Sequence, residues 1–377
     1  MILSSPDWSR IHRKKSLDFW SLPLAVFSIP YGVGSRLRPW FYSRGYFKRQ
    51  SLPGFVVSIG NLTAGGTGKT PAVAMLAGWA QGKGYRVAVL SRGYGGKYTD
   101  KVLEVSDGSS IHVDPHKAGD EPYLLANKLS GVPLILSKKR FYAGLYAHEK
   151  FGSDFFILDD GFQHLELKKD LDLVLIDSAD PFGNGHLLPW GPLREPFSQL
   201  ARADVFLLTR ARSHGADDTT RDSLKREFPS TPVFHSDHLP SRIVFPYTKE
   251  KHEPGFIKGK SVLAFAGIAR PELFRDTLIK LGADVVHFRG YKDHYAFRHE
   301  DIQTLNRMKE KVGARYLLTT EKDWMRIASL GPRYSQLGYL SIEFVLLSDH
   351  DRFFQIIKDG VNKTHGTEYE NTRTGCQ

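Results

Sequence analysis

Lys69 and Thr70 close a glycine-rich run, Gly60-Asn61-Leu62-Thr63-Ala64-Gly65-Gly66-Thr67-Gly68-Lys69-Thr70, directly after the apolar stretch Phe55-Val56-Val57-Ser58-Ile59. Pro71 and an alanine-rich, helix-forming segment to about Gln81 follow. Strand, glycine turn, Lys-Thr pair and helix start are the parts of a phosphate-binding loop. Backbone N–H groups of such a loop wrap phosphates, and the helix N-terminus adds partial positive charge. In this pattern Thr63, Ala64, Gly65, Gly66, Thr67 and Gly68 form the cradle. Lys69 reaches the β/γ-phosphates and the Thr70 hydroxyl holds Mg²⁺. The general pattern asks for Gly where this chain has Thr63. The expectation is a nucleoside triphosphate site.

A nucleotide site of this kind needs a carboxylate beside the loop to complete the Mg²⁺ shell. Phe155-Phe156-Ile157-Leu158-Asp159-Asp160 delivers two at the end of an apolar strand, while Leu173-Val174-Leu175-Ile176-Asp177 has the same form. Asp159 and Asp160 are favoured because the Gly161-Phe162-Gln163-His164 turn crowds polar groups at that strand end. Gly119-Asp120-Glu121-Pro122 sets two acids before a helix, where an Asp serves equally well as an N-cap. Arg194-Glu195 falls at a helix start in a turn-rich segment, Lys138-Lys139-Arg140 follows a strand, and Asp293-His294-Tyr295 lies far downstream. Thr320-Glu321-Lys322-Asp323 looks like a guanine-specific loop but has the wrong spacing, which argues against a GTPase.

The elements that must position these residues alternate along the chain. Strand-like runs at Val87–Leu90, Val132–Leu136, Phe155–Leu158, Leu173–Ile176 and Asp204–Leu208 interleave with helical patterns at Glu121–Leu129 and Phe141–Lys150. This predicts a doubly wound, mostly parallel α/β sheet with ligands at the strand carboxyl ends. After a composition change near 235–260 a second alternation runs from Val262 to Leu347, predicting a smaller α/β domain. The expected divisions are 1–50, 51–240, 241–364 and a disordered tail at 365–377.

The chain has 377 residues, 41% of them hydrophobic and 25% charged, as in ordinary globular proteins. Its single cysteine, Cys376, excludes a disulfide framework. Much of the net charge of +11 lies in residues 1–50, where nine Lys and Arg minus two Asp give +7. Between Arg10, Arg13, Lys14, Lys15 and the later Arg36, Arg38, Arg44, Lys48 and Arg49 runs an uncharged segment, Phe19 to Ser35. Pro23, Pro30, Gly32 and Gly34 make it a marginal membrane span, and no A-x-A-like cleavage site follows. An interfacial anchor fits best, with aromatic and apolar side chains in the headgroup region and cations on anionic lipid. Nucleic-acid tracking would not require an uncharged apolar middle, so no nucleic-acid partner is expected.

Jointly, Gly60–Pro71, Ser91-Arg92-Gly93-Tyr94-Gly95-Gly96, Gly119–Pro122, Asp159–His164 and Pro192-Leu193-Arg194-Glu195-Pro196 occur in the order seen in tetraacyldisaccharide 4′-kinases of lipid A synthesis. The chain resembles that family from its apolar N-terminus into the second domain, where Asp293-His294-Tyr295 also fits. The family's loop likewise begins with Thr. The resemblance implies a P-loop NTPase-like fold and transfer of a phosphoryl group from ATP, with Mg²⁺, to the 4′-hydroxyl of an acylated glucosamine disaccharide 1-phosphate. It places the reaction at the cytoplasmic face of the bacterial inner membrane, with peripheral or monotopic attachment and no obligate protein partner. It further implies Asp120, oriented by His294, as the base for the sugar hydroxyl, with Lys69 catalytic. Arg140 and Arg194 fall to the nucleotide, and Thr70, Asp159, Asp160 and Glu195 to the metal. The competing class is a membrane-attached NTPase that switches a protein partner.

Overall fold

The computed structural model describes residue 12 and residues 21–211, 219–330 and 333–374, with side chains to 364 in the last stretch. The basic front Arg10, Arg13, Lys14 and Lys15, together with Phe19, Trp20 and Cys376, lies outside the described residues. A long helix, α1 (Leu22–Ser43), precedes the phosphate-loop strand β1 (Phe55–Asn61) and its helix α2 (Lys69–Gly82). The order continues β2 (Val87–Ser91), β3 (Leu103–Ser106), α3 (Pro115–Ala118), α4 (Asp120–Lys128), β4 (Leu134–Leu136), α5 (Arg140–Phe151) and β5 (Phe155–Asp159). Then come β6 (Leu171–Asp177), β7 (Val205–Thr209), α6 (Thr219–Glu227), β8 (Val233–Phe245) and β9 (Glu250–His252). The last part is β10 (Ser261–Ala266), α7 (Pro271–Lys280), β11 (Asp284–Gly290), α8 (His299–Lys311), β12 (Tyr316–Thr320), α9 (Glu321–Ile327), β13 (Leu337–Leu346) and α10 (His350–Thr374).

All seven residues of β1 are buried, as expected of a central strand covered on both faces. It pairs in parallel with β5 on one side and β6 on the other, so both candidate acidic strand ends flank the loop. The strand order is β11-β10-β12-β13-β8-β7-β6-β1-β5-β2-β4-β3, one sheet through both halves. β8 makes the join. Its first residues pair in parallel with β7, and the strand then runs antiparallel to β13. Pro240 lies in the β8–β13 ladder, opposite Ile342 where the register shifts, a position at which a missing N–H costs the ladder least. The 240/241 boundary read from composition therefore falls inside a continuous strand.

The last helix crosses back to the first half. Phe353, Ile357 and Val361 of α10 are buried in the same core as Phe55, Leu76 and Phe155, and Phe354 stacks on Trp79 with ring centroids 4.6 Å apart. The second half keeps its own core of Leu263, Phe265, Leu305, Leu317 and Trp324, against which Leu124 of α4 is packed. That contact brings the two halves together above the loop.

α1 inverts the usual amphipathic pattern. Ser28 and Gly32 are buried toward the protein, while Phe27 and Ile29 are 65% and 67% exposed. Ser28 Oγ donates to Leu187 O at 2.9 Å and accepts from Trp190 N at 3.1 Å. Tyr31 Oη donates to Arg194 O at 2.8 Å, and Arg38 Nη1 to Gln163 O at 2.9 Å. Among the described residues no helix is long and apolar enough to cross a membrane.

Candidate active site

The loop between β1 and α2 is folded by its own glycines and by a neighbouring segment. Gly68, at the cap of α2, has φ 87° and ψ 27°, a left-handed conformation that suits glycine. On the other side, Thr63 and Leu193 form an antiparallel bridge, Ala64 N donates to Pro192 O at 2.7 Å, and Arg194 N to Leu62 O at 2.9 Å. Arg194 is thus zipped to the loop through its backbone. Lys69 Nζ donates to Asn61 Oδ1 at 3.0 Å and lies 3.6 Å from Asp160 Oδ1.

Asp159 and Asp160 sit side by side yet in opposite electrostatic states. Asp160, at φ 54°, accepts two hydrogen bonds from Arg194 Nη1 at 2.9 and 2.8 Å. Burial pushes its pKa up, but Lys69 and Arg194 outweigh that and hold it at about 2. Asp159 accepts from Ser91 Oγ at 3.0 Å; burial first, then Glu121 and Asp160, raises it to about 6. A buried carboxyl with a raised pKa beside a phosphate loop is a group waiting for a cation. The competing strand end, Asp177, is committed elsewhere, with Arg210 at 2.8 Å and Arg270 at 3.3 Å.

Glu195 is buried and gripped by Arg202, whose Nη2 donates at 2.6 Å, with Gln163 Nε2 3.3 Å away. Both Asp160 and Glu195 are thus engaged by arginines, which leaves Asp159, held only by Ser91, and the Thr70 hydroxyl as oxygen donors without an arginine partner. Among the described residues no cluster of three or more His, Cys, Asp or Glu forms a metal cage. Mg²⁺ does not need one, since it is commonly held by one or two carboxylates plus substrate phosphates and water. The donor set fits it. Arg140 opens α5 with its guanidinium buried toward Asp159 and Asp160, and its Nε has no hydrogen-bond partner. His164 lies nearby, held neutral at about 3 by burial and the Arg140 charge.

Asp120 begins α4 after Gly119 (φ 89°, ψ 156°). Its Oδ2 lies 3.2 Å from His294 Nδ1, which comes from the loop after β11 in the other half of the chain. Arg326 Nε of α9 donates to the same oxygen at 2.6 Å. Burial raises the Asp120 pKa, but His294 and Arg326 overcome it and hold the carboxyl at about 2. Glu121 pairs with Lys322 at 2.8 Å, and its ionisation is further favoured by Lys69, so this carboxylate faces both the loop and the second half. The arrangement is a phosphate cradle with cations on one wall and, on the other, an ionised carboxylate next to an imidazole.

A family model described as tetraacyldisaccharide-1-P 4′-kinase, LpxK, matches residues 20–362. The chain belongs to this kinase family. A tetraacyldisaccharide 4′-kinase of Syntrophus aciditrophicus is 42% identical over 344 residues, covering 89% of this chain and 92% of that protein. One from Geobacter metallireducens is 40% identical over 321 residues, covering 84% and 90%. The solved structure of LpxK from Aquifex aeolicus, described as an apo form in complex with ATP, aligns with a TM-score of 0.75 at 32% identity. It covers 91% of this chain and 100% of that one.

The LpxK fold of this chain brings Thr63–Thr70, Asp159, Asp160, Arg140, Arg194 and Glu195 around one loop, and Asp120 with His294 on the facing wall. Sequence reasoning gave no separate role to Asn61, Ser91 and Gln163, which orient Lys69, Asp159 and the Glu195 segment. It also passed over Arg326. The only signal for that region was Thr320-Glu321-Lys322-Asp323, set aside as a failed guanine motif, which proves to be the N-terminus of α9 facing Asp120 and Glu121.

Proposed function

We propose that this chain transfers the γ-phosphoryl group of ATP to the 4′-hydroxyl of a tetraacylated glucosamine disaccharide 1-phosphate, a step of lipid A synthesis. The observation that carries the reading is the Asp120–His294 contact beside Glu121, whose ionisation the loop's Lys69 favours. Lys69 and the loop amides bind the triphosphate and neutralise charge on the transferring group. Thr70 and Asp159 would hold Mg²⁺, with Asp160 and Glu195 close by, and the ion would supply charge to offset that of the phosphates. A bond forms between the sugar oxygen and Pγ, the bond from Pγ to the bridging oxygen breaks, and ADP leaves with that electron pair. The hydroxyl proton passes to Asp120. A carboxylate of low pKa serves here because nucleophile deprotonation is late in a loose phosphoryl-transfer transition state, so orientation matters more than basicity.

The substrate's acyl chains lie in a bilayer at about 0.8 kcal/mol per buried CH₂, so the enzyme comes to the membrane. The outward apolar face of α1, with Arg44 over Trp40 and Arg38 over Tyr42, supports peripheral attachment to an anionic surface, read here as the cytoplasmic face of the inner membrane. The deciding experiment incubates the full chain with labelled ATP, Mg²⁺ and the disaccharide lipid in mixed micelles. A product heavier by one phosphate is expected. ATP hydrolysis that proceeds equally with and without the lipid, with no phosphorylated lipid, would replace the kinase with an NTPase switch.

A further inference from the structure

α9 is short, yet three of its residues reach α4 in the first half. Glu321 pairs with Lys128 at 2.6 Å, Lys322 with Glu121 at 2.8 Å, and Arg326 with Asp120 at 2.6 Å. In the first two the side chains make simple ion pairs, Lys128 and Glu321 largely buried and Lys322 and Glu121 more open. The third differs. The Arg326 side chain is only 8% exposed, and each of its three guanidinium nitrogens has a partner. Nε donates to Asp120 Oδ2, and Nη1 donates to Gly267 O at 3.0 Å and to Asp323 Oδ1 at 2.8 Å. Nη2 lies 3.2 Å from His294 Nδ1.

The same few atoms hold His294. Its backbone N donates to Gly267 O at 3.2 Å, while Gly267 N donates to Asp323 Oδ2 at 2.9 Å. His294 stands at φ 57°, a conformation a non-glycine residue keeps only when its surroundings enforce it. Arg326 therefore touches the carboxylate, the carbonyl that anchors the histidine backbone, and the imidazole. Both Arg326 and His294 approach Oδ2, and among the described residues no hydrogen bond is made to Oδ1. The second oxygen is left for the acceptor hydroxyl.

We propose that Arg326 is a positioning residue for phosphoryl transfer: its guanidinium fixes the rotation of the Asp120 carboxylate and the place of His294 together, so that Oδ1 faces the substrate when α9 is docked on α4. Arginine suits the task because its rigid planar fork serves several acceptors in one geometry. The assignment rests on the kinase reading above, with Asp120 receiving the hydroxyl proton.

The test is a double-mutant cycle on the full-length enzyme, reading lipid phosphorylation, with thermal unfolding followed in parallel. The wild-type rate comes first; a wild type that forms no lipid product defeats the kinase reading itself. Given a working wild type, Arg326→Gln should lower kcat by about 10²-fold, the scale of a 1 Å misplacement, with KM for ATP within about twofold. Arg326→Lys, which keeps one donor on Oδ2, should recover to within about tenfold of wild type. In an Asp120→Ala background, either Arg326 substitution should change kcat by no more than about twofold, since the group it positions is gone. Should Arg326→Gln fail to fold, the Lys variant completes the same cycle. Losses that multiply with Asp120→Ala, or an Arg326→Gln enzyme of normal kcat, would overturn the proposal and leave Arg326 as a structural clip on Asp323.

Discussion

Gly68→Ala tests whether the phosphate loop has the geometry described. Two costs add at this position. A β-carbon on a residue at φ 87° and ψ 27° costs about 1–2 kcal/mol in left-handed strain. The same β-carbon would overlap Nε2 and Cε1 of the His238 ring and lie 3.2 Å from its Cδ2. His238 has little room to retreat. Its backbone N is tied to Asp237 Oδ1 at 2.8 Å and its ring meets Phe344 edge-on at 5.5 Å. The loop must move instead, by about 1.5 Å or more to reach ordinary van der Waals contact. Lys69 is the next residue and moves with it, away from Asn61 and Asp160. A shift of that size at a catalytic group costs about 10²-fold in rate. Steady-state lipid phosphorylation should show kcat reduced on that scale and KM for ATP raised. Gly68→Ala combined with His238→Ala removes the overlap but keeps the dihedral strain, and should recover most of the lost kcat. A Gly68→Ala enzyme within about threefold of wild type would refute the steric argument, because a loop that tolerates the β-carbon is not confined by His238.

Asp120→Ala and His294→Ala should each lower kcat strongly with small effects on KM for ATP, and the double mutant should be little worse than the poorer single; multiplicative losses would show that His294 acts apart from Asp120. Asp159, raised to about 6, is protonated below that pH in the metal-free protein, so Mg²⁺ must displace a proton there. Its apparent Mg²⁺ affinity should fall about tenfold per pH unit below about 6 and level off above it; an affinity flat between pH 5 and 7 would remove Asp159 from the metal shell. The stability term has the opposite sign: ionising Asp159 in the metal-free fold costs stability as pH rises from the ordinary carboxylate range to about 6. Deleting residues 1–50 should release the protein from anionic vesicles, and high salt should weaken full-length binding; a truncated protein that still sediments with vesicles would place the membrane contact elsewhere.

The loop, its flanking strand and helix, and the acidic strand ends were legible because each is local. A glycine turn between an apolar run and a helix former has few other uses, and continuous apolar runs announced β1, β5, β6 and β7. Three things were not legible. Strand adjacency does not decide between Asp159 and Asp177, since β5 and β6 both border β1; only the partners Arg210 and Arg270 show that Asp177 is taken. β8 resists reading because one strand serves two halves with different neighbours, so a composition change beginning within it was read as the junction of two domains. Arg326 gave no signal at all. An arginine on a short helix reads as a solvated charge until the fold sets it against a carboxylate more than 200 positions away.

The same non-local logic ties the N-terminal helix to the site. Small residues of α1 face the protein and large apolar ones face outward, which is the wrong way round for a helix that only completes a core. Its polar contacts are few and fall on two segments. Tyr31 bonds the carbonyl of Arg194, whose side chain grips Asp160, and Arg38 bonds the carbonyl of Gln163, whose side chain reaches Asn61 O and Glu195. An enzyme whose acceptor stays in the bilayer has to register its phosphate site against the membrane surface. On the proposed reading, one helix does this by presenting apolar side chains outward and hydrogen bonds inward. Loss of Tyr31 Oη alone, in Tyr31→Phe, should then lower lipid phosphorylation more than vesicle binding, because the outward face is untouched while Arg194 loses one of its two backbone anchors. Equal loss of both would show that the hydroxyl supports α1 as a whole and not the segment beneath it.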